Sequence, residues 1–187
     1  MNSRISLSVG ILLLCLTGIA LVLAGCGSSS SSTTNSPLTM EGTWKVSATG
    51  NGGGSTGFTA SIVSQPLQSG DCIVNTPLDI EFEVTGATTC FIADPNAGQG
   101  SITSVTGNWD YPPAGFLMGI NSADPIPANT TAQMVGYFVE TDGTNVEVLD
   151  ISGTVTASTK SITGTFSCDA NSPVSCSHSG TFTATHQ

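Results

Sequence analysis

Six cysteines, two histidines and thirteen Asp and Glu residues are the side chains of this 187-residue chain that could hold a metal, attack a substrate or move a proton. No Gly-x-Ser-x-Gly elbow, His-Glu-x-x-His pair or phosphate-binding Gly loop accompanies them. Both histidines, His178 and His186, fall on or beside the terminal predicted strand. Ser177 and Ser179 flank His178, but in a chain this rich in serine that proximity is expected by chance. Paired carboxylates of the glycosidase kind are defined by a separation of about 5–9.5 Å in the folded protein, which sequence spacing does not reveal. No catalytic residue is assigned. The expectation is a non-catalytic binding or structural module, with a hydrolase working through a carboxylate-based site as the alternative.

In Asp79-Ile80-Glu81-Phe82-Glu83-Val84 every acid faces one side of a predicted strand and every apolar residue the other. Three carboxylates on one strand face invite a Ca²⁺ reading, but hard cations need six or more converging oxygens, so the row is read as solvated charge. Asp94-Pro95-Asn96-Ala97-Gly98 has the residue types of an ordinary turn. Zinc would use the cysteines, which lack the short Cys-x-x-Cys spacing of such sites. Neither metal nor cofactor is expected.

Charge narrows the partners. The chain carries 13 acidic residues against 3 Lys and Arg, a formal net charge of -10, and only 9% of it is charged. Arg4 lies in the leader described next, which leaves Lys45 and Lys160. Two dispersed lysines do not neutralise a phosphate backbone or form a polybasic membrane patch, so nucleic acid is excluded.

The chain opens with Met1-Asn2-Ser3-Arg4, continues through the apolar stretch Ile5 to Leu23, and reaches Leu23-Ala24-Gly25-Cys26. These four residues resemble the lipobox of bacterial lipoproteins. The resemblance implies that residues 1–25 are a removed signal peptide and that Cys26 becomes a lipidated N-terminus. An uncleaved membrane helix is the competing reading, because about 20 apolar residues can span a bilayer. The small residues before Cys26 favour cleavage. Two or three acyl chains would hold the protein firmly in the lipid bilayer. Residues 26–37, Ser- and Thr-rich with nothing apolar to bury, read as a tether spanning on the order of 15–20 Å. Gly27 occupies the position where many inner-membrane lipoproteins carry Asp, so the resemblance points to the outer membrane of a bacterial envelope.

Residues 38–187 are long enough for one domain with a sizeable core. β-branched and turn residues recur, strong helix formers are scarce, and no stretch shows a 3.6-residue period. Alternation marks strands at Trp44-Val46-Ala48, at Phe58-Ala60-Ile62 and at Asp79 to Val84, and further ones at Ser101 to Trp109, Phe116 to Asn121, Gln133 to Thr141 and Thr144 to Ser152. Asp142-Gly143 reads as the tight turn between the last two. Gly-Thr followed by a large apolar residue recurs at Gly42, Gly153, Gly164 and Gly180. With Ser158 to Ser161 as a hairpin loop, Ala157 faces Ile162, Val155 faces Gly164 and Gly153 faces Phe166. In the last hairpin Phe166 faces Gly180 and Phe182 faces Gly164, an aromatic over each glycine. That register predicts an all-β, strongly curved antiparallel meander forming a closed or partly open β-barrel, with a β-sandwich as the alternative.

Gly42-Thr43-Trp44 on the first strand is similar to the Gly-x-Trp of lipocalin-like barrels. The resemblance implies that Trp44 plugs a closed end. Those families stack an Arg of the last strand across the Trp; residues 26–187 contain no Arg, and His186 is the residue nearest that place. The chain also resembles β-rich bacterial lipoproteins of uncharacterised role, which implies a location and a fold type.

Cys15 leaves with the leader and Cys26 is lipidated, so Cys72, Cys90, Cys168 and Cys176 remain as an even set in an oxidising compartment. Of the three pairings possible, the register places Cys168 at a strand end and Cys176 in the loop to its partner strand. Disulfides Cys168–Cys176 and Cys72–Cys90 are therefore expected. For ligand binding, Trp109, Tyr111 and Phe116 stand out, gathered around Pro112-Pro113 in a segment predicted to be a loop. A glycan, a small apolar ligand or an envelope protein are the partners such a surface would take.

The lipid anchor is tested directly. Cys26→Ser is expected to leave the protein soluble and unlabelled by a palmitate analogue in growing cells, whereas equal labelling of variant and wild type would exclude lipidation at Cys26.

Overall fold

The computed structural model describes residues 36–75, 81–94, 102–106, 113–141, 144–174, 176 and 178–187. The leader, most of the tether and the Asp142-Gly143 turn lie outside them. The described regular elements are all strands: β1 (Gly42–Gly50), β2 (Ser55–Gln65), β3 (Cys72–Asn75), β4 (Glu81–Val84), β5 (Thr89–Ala93), β6 (Ile102–Thr106), β7 (Pro113–Ile120), β8 (Thr131–Thr141), β9 (Val146–Thr156), β10 (Ser161–Cys168) and β11 (Ser179–His186). Eight of them close an antiparallel barrel in the order β1-β11-β10-β9-β8-β7-β5-β2, and β2 pairs back onto β1. The strand β6 takes the Ser55–Phe58 half of the β2 edge whose other half holds β5.

Alternating side chains produce this closure. Trp44 and Ala48 point inward and are buried, while Thr43, Lys45 and Ser47 are exposed. Phe58, Ala60 and Ile62 face inward from β2. In β4, Phe82 and Val84 are buried while Glu81 and Glu83 are exposed, so these two acids are solvated charges as the alternation predicts. The β3–β4 hairpin lies against the outside of the barrel. There it forms a second core with Leu117, Val146 and Val148, and the Cys72–Cys90 disulfide is buried in it. The second disulfide is Cys168–Cys176, so both expected pairings are present.

Register decides how tightly the sheet curls. In the β10–β11 hairpin Gly164 faces Phe182 and Phe166 faces Gly180, as the sequence predicts. A Cβ on Gly164 would sit 2.6 Å from Phe182 Cε1, and one on Gly180 would sit 2.7 Å from Phe166 Cζ. The two rings occupy space that only glycine leaves open, which lets the wall bend inward at those points.

The β9–β10 register differs from expectation. Ile162 pairs with Val155, not Ala157, and Gly164 pairs with Gly153. The turn is Ala157–Lys160 in place of Ser158–Ser161. Lys160 adopts a left-handed φ of 48° and its N–H donates to Ala157 O at 3.2 Å, so the chain reverses one residue earlier. Ala157 is then fully buried and its N–H donates to Thr130 O at 3.1 Å. The pairing slips by two residues, so every side chain keeps its face and the inward set is unaltered.

Gly164→Ala tests the curvature. Its methyl would meet the Phe182 ring and the Ser152 carbonyl, so a loss of about 1–3 kcal/mol in denaturant unfolding is expected, the range of an overpacked core position.

Candidate functional site: the barrel interior and its mouth

One end of the barrel is sealed by Trp44. The side chain is wholly buried, and its indole N–H donates to Met40 O at 2.8 Å. His186 is its cross-strand partner on β11 and meets it edge-on at 5.0 Å between ring centroids. The last strand therefore places an imidazole against the Trp44 ring. His186 Nε2 is 3.0 Å from Glu41 O, and a Cβ on Gly42 would lie 2.9 Å from that nitrogen, so the glycine of Gly-x-Trp makes room for the ring. The Glu41 carboxylate accepts from the Ser64 hydroxyl and amide, which hold it below the usual carboxylate range. Across the base runs an N-terminal arm. Leu38 and Ile126 exchange backbone hydrogen bonds of 2.9 and 2.8 Å, and Met40 N–H donates to Asp124 Oδ1 at 2.9 Å. The Asn121 to Thr130 segment thus serves as part of the seal.

Above Trp44 lies a cavity of about 70 Å³ with an entirely apolar lining that includes Phe116, Met118, Met134, Phe138 and Phe182. The barrel is thus nearly filled by its own side chains, as eight-stranded barrels commonly are. Of the three residues picked out for binding, Phe116 is placed here. It points into the interior from β7, Pro113–Ile120, so the strand expected from Phe116 is present and starts three residues earlier, and Phe116 faces the lumen instead of a loop surface. Pro113 fits because a proline is tolerated at the first residue of a strand. Trp109 and Tyr111 lie outside the described residues.

The next inward layer toward the mouth is polar. Phe58 and Phe138 touch across the barrel at 5.1 Å, and one inward position further along the same strands stand Thr56 and Glu140. Glu140 is the direct partner of Glu147 on β9. All three side chains are buried, with Glu140 at 0% exposure, Glu147 at 2% and Thr56 at 3%. Directly paired strand residues hold their Cβ atoms about 4.5–5.5 Å apart, so the two acidic side chains are neighbours on the inward face. Acids so placed repel when both are ionised, and a proton or a cation between them relieves it. His178 stands beside the pair, its Nε2 lying 3.7 Å from Glu147 Oε2. It is positioned by the Cys168–Cys176 loop, where His178 N–H donates to Cys168 Sγ at 3.0 Å and Cys168 N–H to His178 O at 3.0 Å. Among the described residues the Thr56 hydroxyl has no hydrogen-bond partner. Ser179 does not join His178, because its hydroxyl accepts from Asn51 Nδ2 at 3.0 Å. No group of three potential ligands is arranged for a metal ion among the described residues.

The carboxylate pair is the feature that sequence inspection passed over. The signal was present in the alternation itself. Counting by twos, Met134, Phe138 and Glu140 share a face, as do Ile151, Leu149 and Glu147, so both acids fall on apolar faces.

On the outer wall, a groove of about 340 Å³ contains Tyr137, Asp150 and Glu83. Tyr137 stacks at 5.3 Å on Phe82. Partial burial, followed by Asp150, Asp169 and Glu83, pushes its phenol up, and partial burial followed by Asp169 pushes the Asp150 carboxyl up. A raised carboxyl opposes folding while ionised and ceases to do so as pH falls through its folded value. Asp150→Asn is therefore expected to raise the melting temperature at pH 7 and to lose that advantage as pH approaches 4. Solvent screening keeps the gain to about 0.5 kcal/mol or less.

No family model, curated protein or solved structure matches the chain.

Proposed function

We propose that the chain is an envelope lipoprotein, freed of residues 1–25 and held to the bilayer by acylated Cys26, whose barrel is a non-catalytic module for a small apolar ligand. The observation that carries this reading is the cavity, apolar on every side and floored by the Trp44 plug. The two disulfides accord with an oxidising envelope compartment, and the outer membrane is the proposed location. An apolar cavity of about 150 Å³ takes benzene, so 70 Å³ suits a guest of about three or four carbons. Met118 and Met134, unbranched and adaptable, allow modest enlargement.

A second reading, a hydrolase, draws on Glu140 facing Glu147 beside His178. Turnover of a glycoside or ester that disappears in Glu140→Gln would establish it in place of binding.

Binding is tested on the full chain in detergent, with Trp109→Phe leaving Trp44 as the only indole. Titration with 1-butanol is expected to give a saturable change in Trp44 emission and a rise in melting temperature. Ala60→Val, which adds two methyl groups to the cavity wall, is expected to abolish both. A linear response identical in the two proteins would overturn the reading.

A further inference from the structure

We infer that the ligand of this barrel is a primary ammonium compound, its short apolar tail in the cavity and its head in the ring of Thr56, Glu140 and Glu147. The inference rests on the binding role just proposed and names the chemistry of the ligand. Its basis is the order of the inward layers. Phe138 and Leu149 are cross-strand partners that line the cavity, and the next inward pair toward the mouth is Glu140 with Glu147. Phe58, which meets Phe138 across the lumen, is followed in the same direction by Thr56. A guest with its tail among the phenylalanines therefore brings its other end to two carboxyl groups and a hydroxyl.

Head groups differ sharply in how they suit that ring. A carboxylate or phosphate would meet buried acids of its own sign. An alcohol brings a single donor. An alkylammonium brings one positive charge and three N–H donors, matching two carboxyl groups and one hydroxyl acceptor. Hydrogen bonds from an ionised donor to carboxylates are among the stronger ones available to a protein. The Thr56 hydroxyl supplies an independent sign, being buried on the inward face with no hydrogen-bond partner among the described residues. A buried polar group in that condition signals a missing partner. His178, with its Nε2 3.7 Å from Glu147 Oε2, would share that carboxylate with the ligand. The two lysines of residues 26–187 do not enter: Lys45 is exposed on β1 and Lys160 is exposed in the β9–β10 turn.

The experiment compares n-butylamine, 1-butanol, butyrate and n-butyltrimethylammonium on the full chain in detergent at neutral pH, followed by Trp44 emission in the Trp109→Phe background and by melting temperature. Butylamine is expected to bind at least tenfold more tightly than butanol, with butyrate giving no saturable signal. The trimethylammonium compound, equally charged but without N–H donors, is expected to bind at least tenfold more weakly than butylamine. Thr56→Val is expected to lower the amine-to-alcohol affinity ratio at least threefold, and Glu140→Gln to lower it further. Thr56→Val deletes a buried hydroxyl and keeps the side-chain shape, so it reports even where Glu140→Gln folds poorly. Equal binding of butylamine and butanol would leave the apolar-ligand reading standing and overturn the ammonium assignment. Equal binding of the two ammonium compounds would also overturn it, by showing attraction to the net negative charge alone. Failure of butanol and butylamine alike would remove both the binding role and this inference.

Discussion

Everything in this molecule depends on β1 being paired along both edges, to β11 on one side and β2 on the other. That double pairing turns a meander into a closed wall, so that β1 presents no edge to another chain. Closing only eight strands demands strong curvature and leaves an interior barely wider than the side chains that fill it. Glycine opposite phenylalanine is the local answer: the ring supplies the bulk that the neighbouring strand gives up in order to bend. The same narrowness limits any guest to a few atoms and keeps the lumen apolar from Trp44 up to Phe138.

Against that background, Glu140 and Glu147 are conspicuous. Ionisable groups seldom lie fully buried, because desolvation costs several kcal/mol per charge after relaxation. Two acids facing each other add repulsion to that cost. His178, two residues beyond the Cys168–Cys176 disulfide and bonded to Cys168, reaches Glu147, so part of the architecture at the mouth is devoted to holding an imidazole beside a carboxylate. Stability alone would be served better by apolar residues in all these places. Their retention where the lumen ends is the clearest mark of function on the barrel.

The strand faces, the last hairpin and both disulfides were legible because they follow from period-two alternation and from cysteine positions near strand ends. Trp44 was legible as an inward residue from the alternation of Trp44, Val46 and Ala48. The β9–β10 turn was misjudged because either four-residue choice satisfies the alternation, and only the buried seat for Ala157 distinguishes them. The mouth layer was overlooked for a different reason. An acid in a strand is ordinarily assigned to solvent, and here the parity of Glu140 and Glu147 contradicted that habit. Phe116 was noticed for its company of aromatic and proline residues, which said nothing of the inward direction it takes. That the Asn121 to Thr130 turns close the base follows from the bridge between Leu38 and Ile126, which joins residues far apart in sequence.

The arm that makes this bridge also fixes how the domain would respond to force. Two backbone hydrogen bonds, the Met40-to-Asp124 contact, the Trp44 indole bond to Met40 O and the buried side chains of Leu38 and Met40 hold it, and it is drawn across the base rather than woven into the wall. Tension applied from the N-terminal side would reach those few bonds first and peel them one after another, while the eight strands, loaded only after the arm had gone, still kept their ladders. The first thing uncovered would be Trp44, whose indole N–H would lose the Met40 carbonyl as the arm departed. The seal is thus the mechanical weak point of an otherwise continuous wall, and a pull on the chain would unstopper the barrel before it unravelled it.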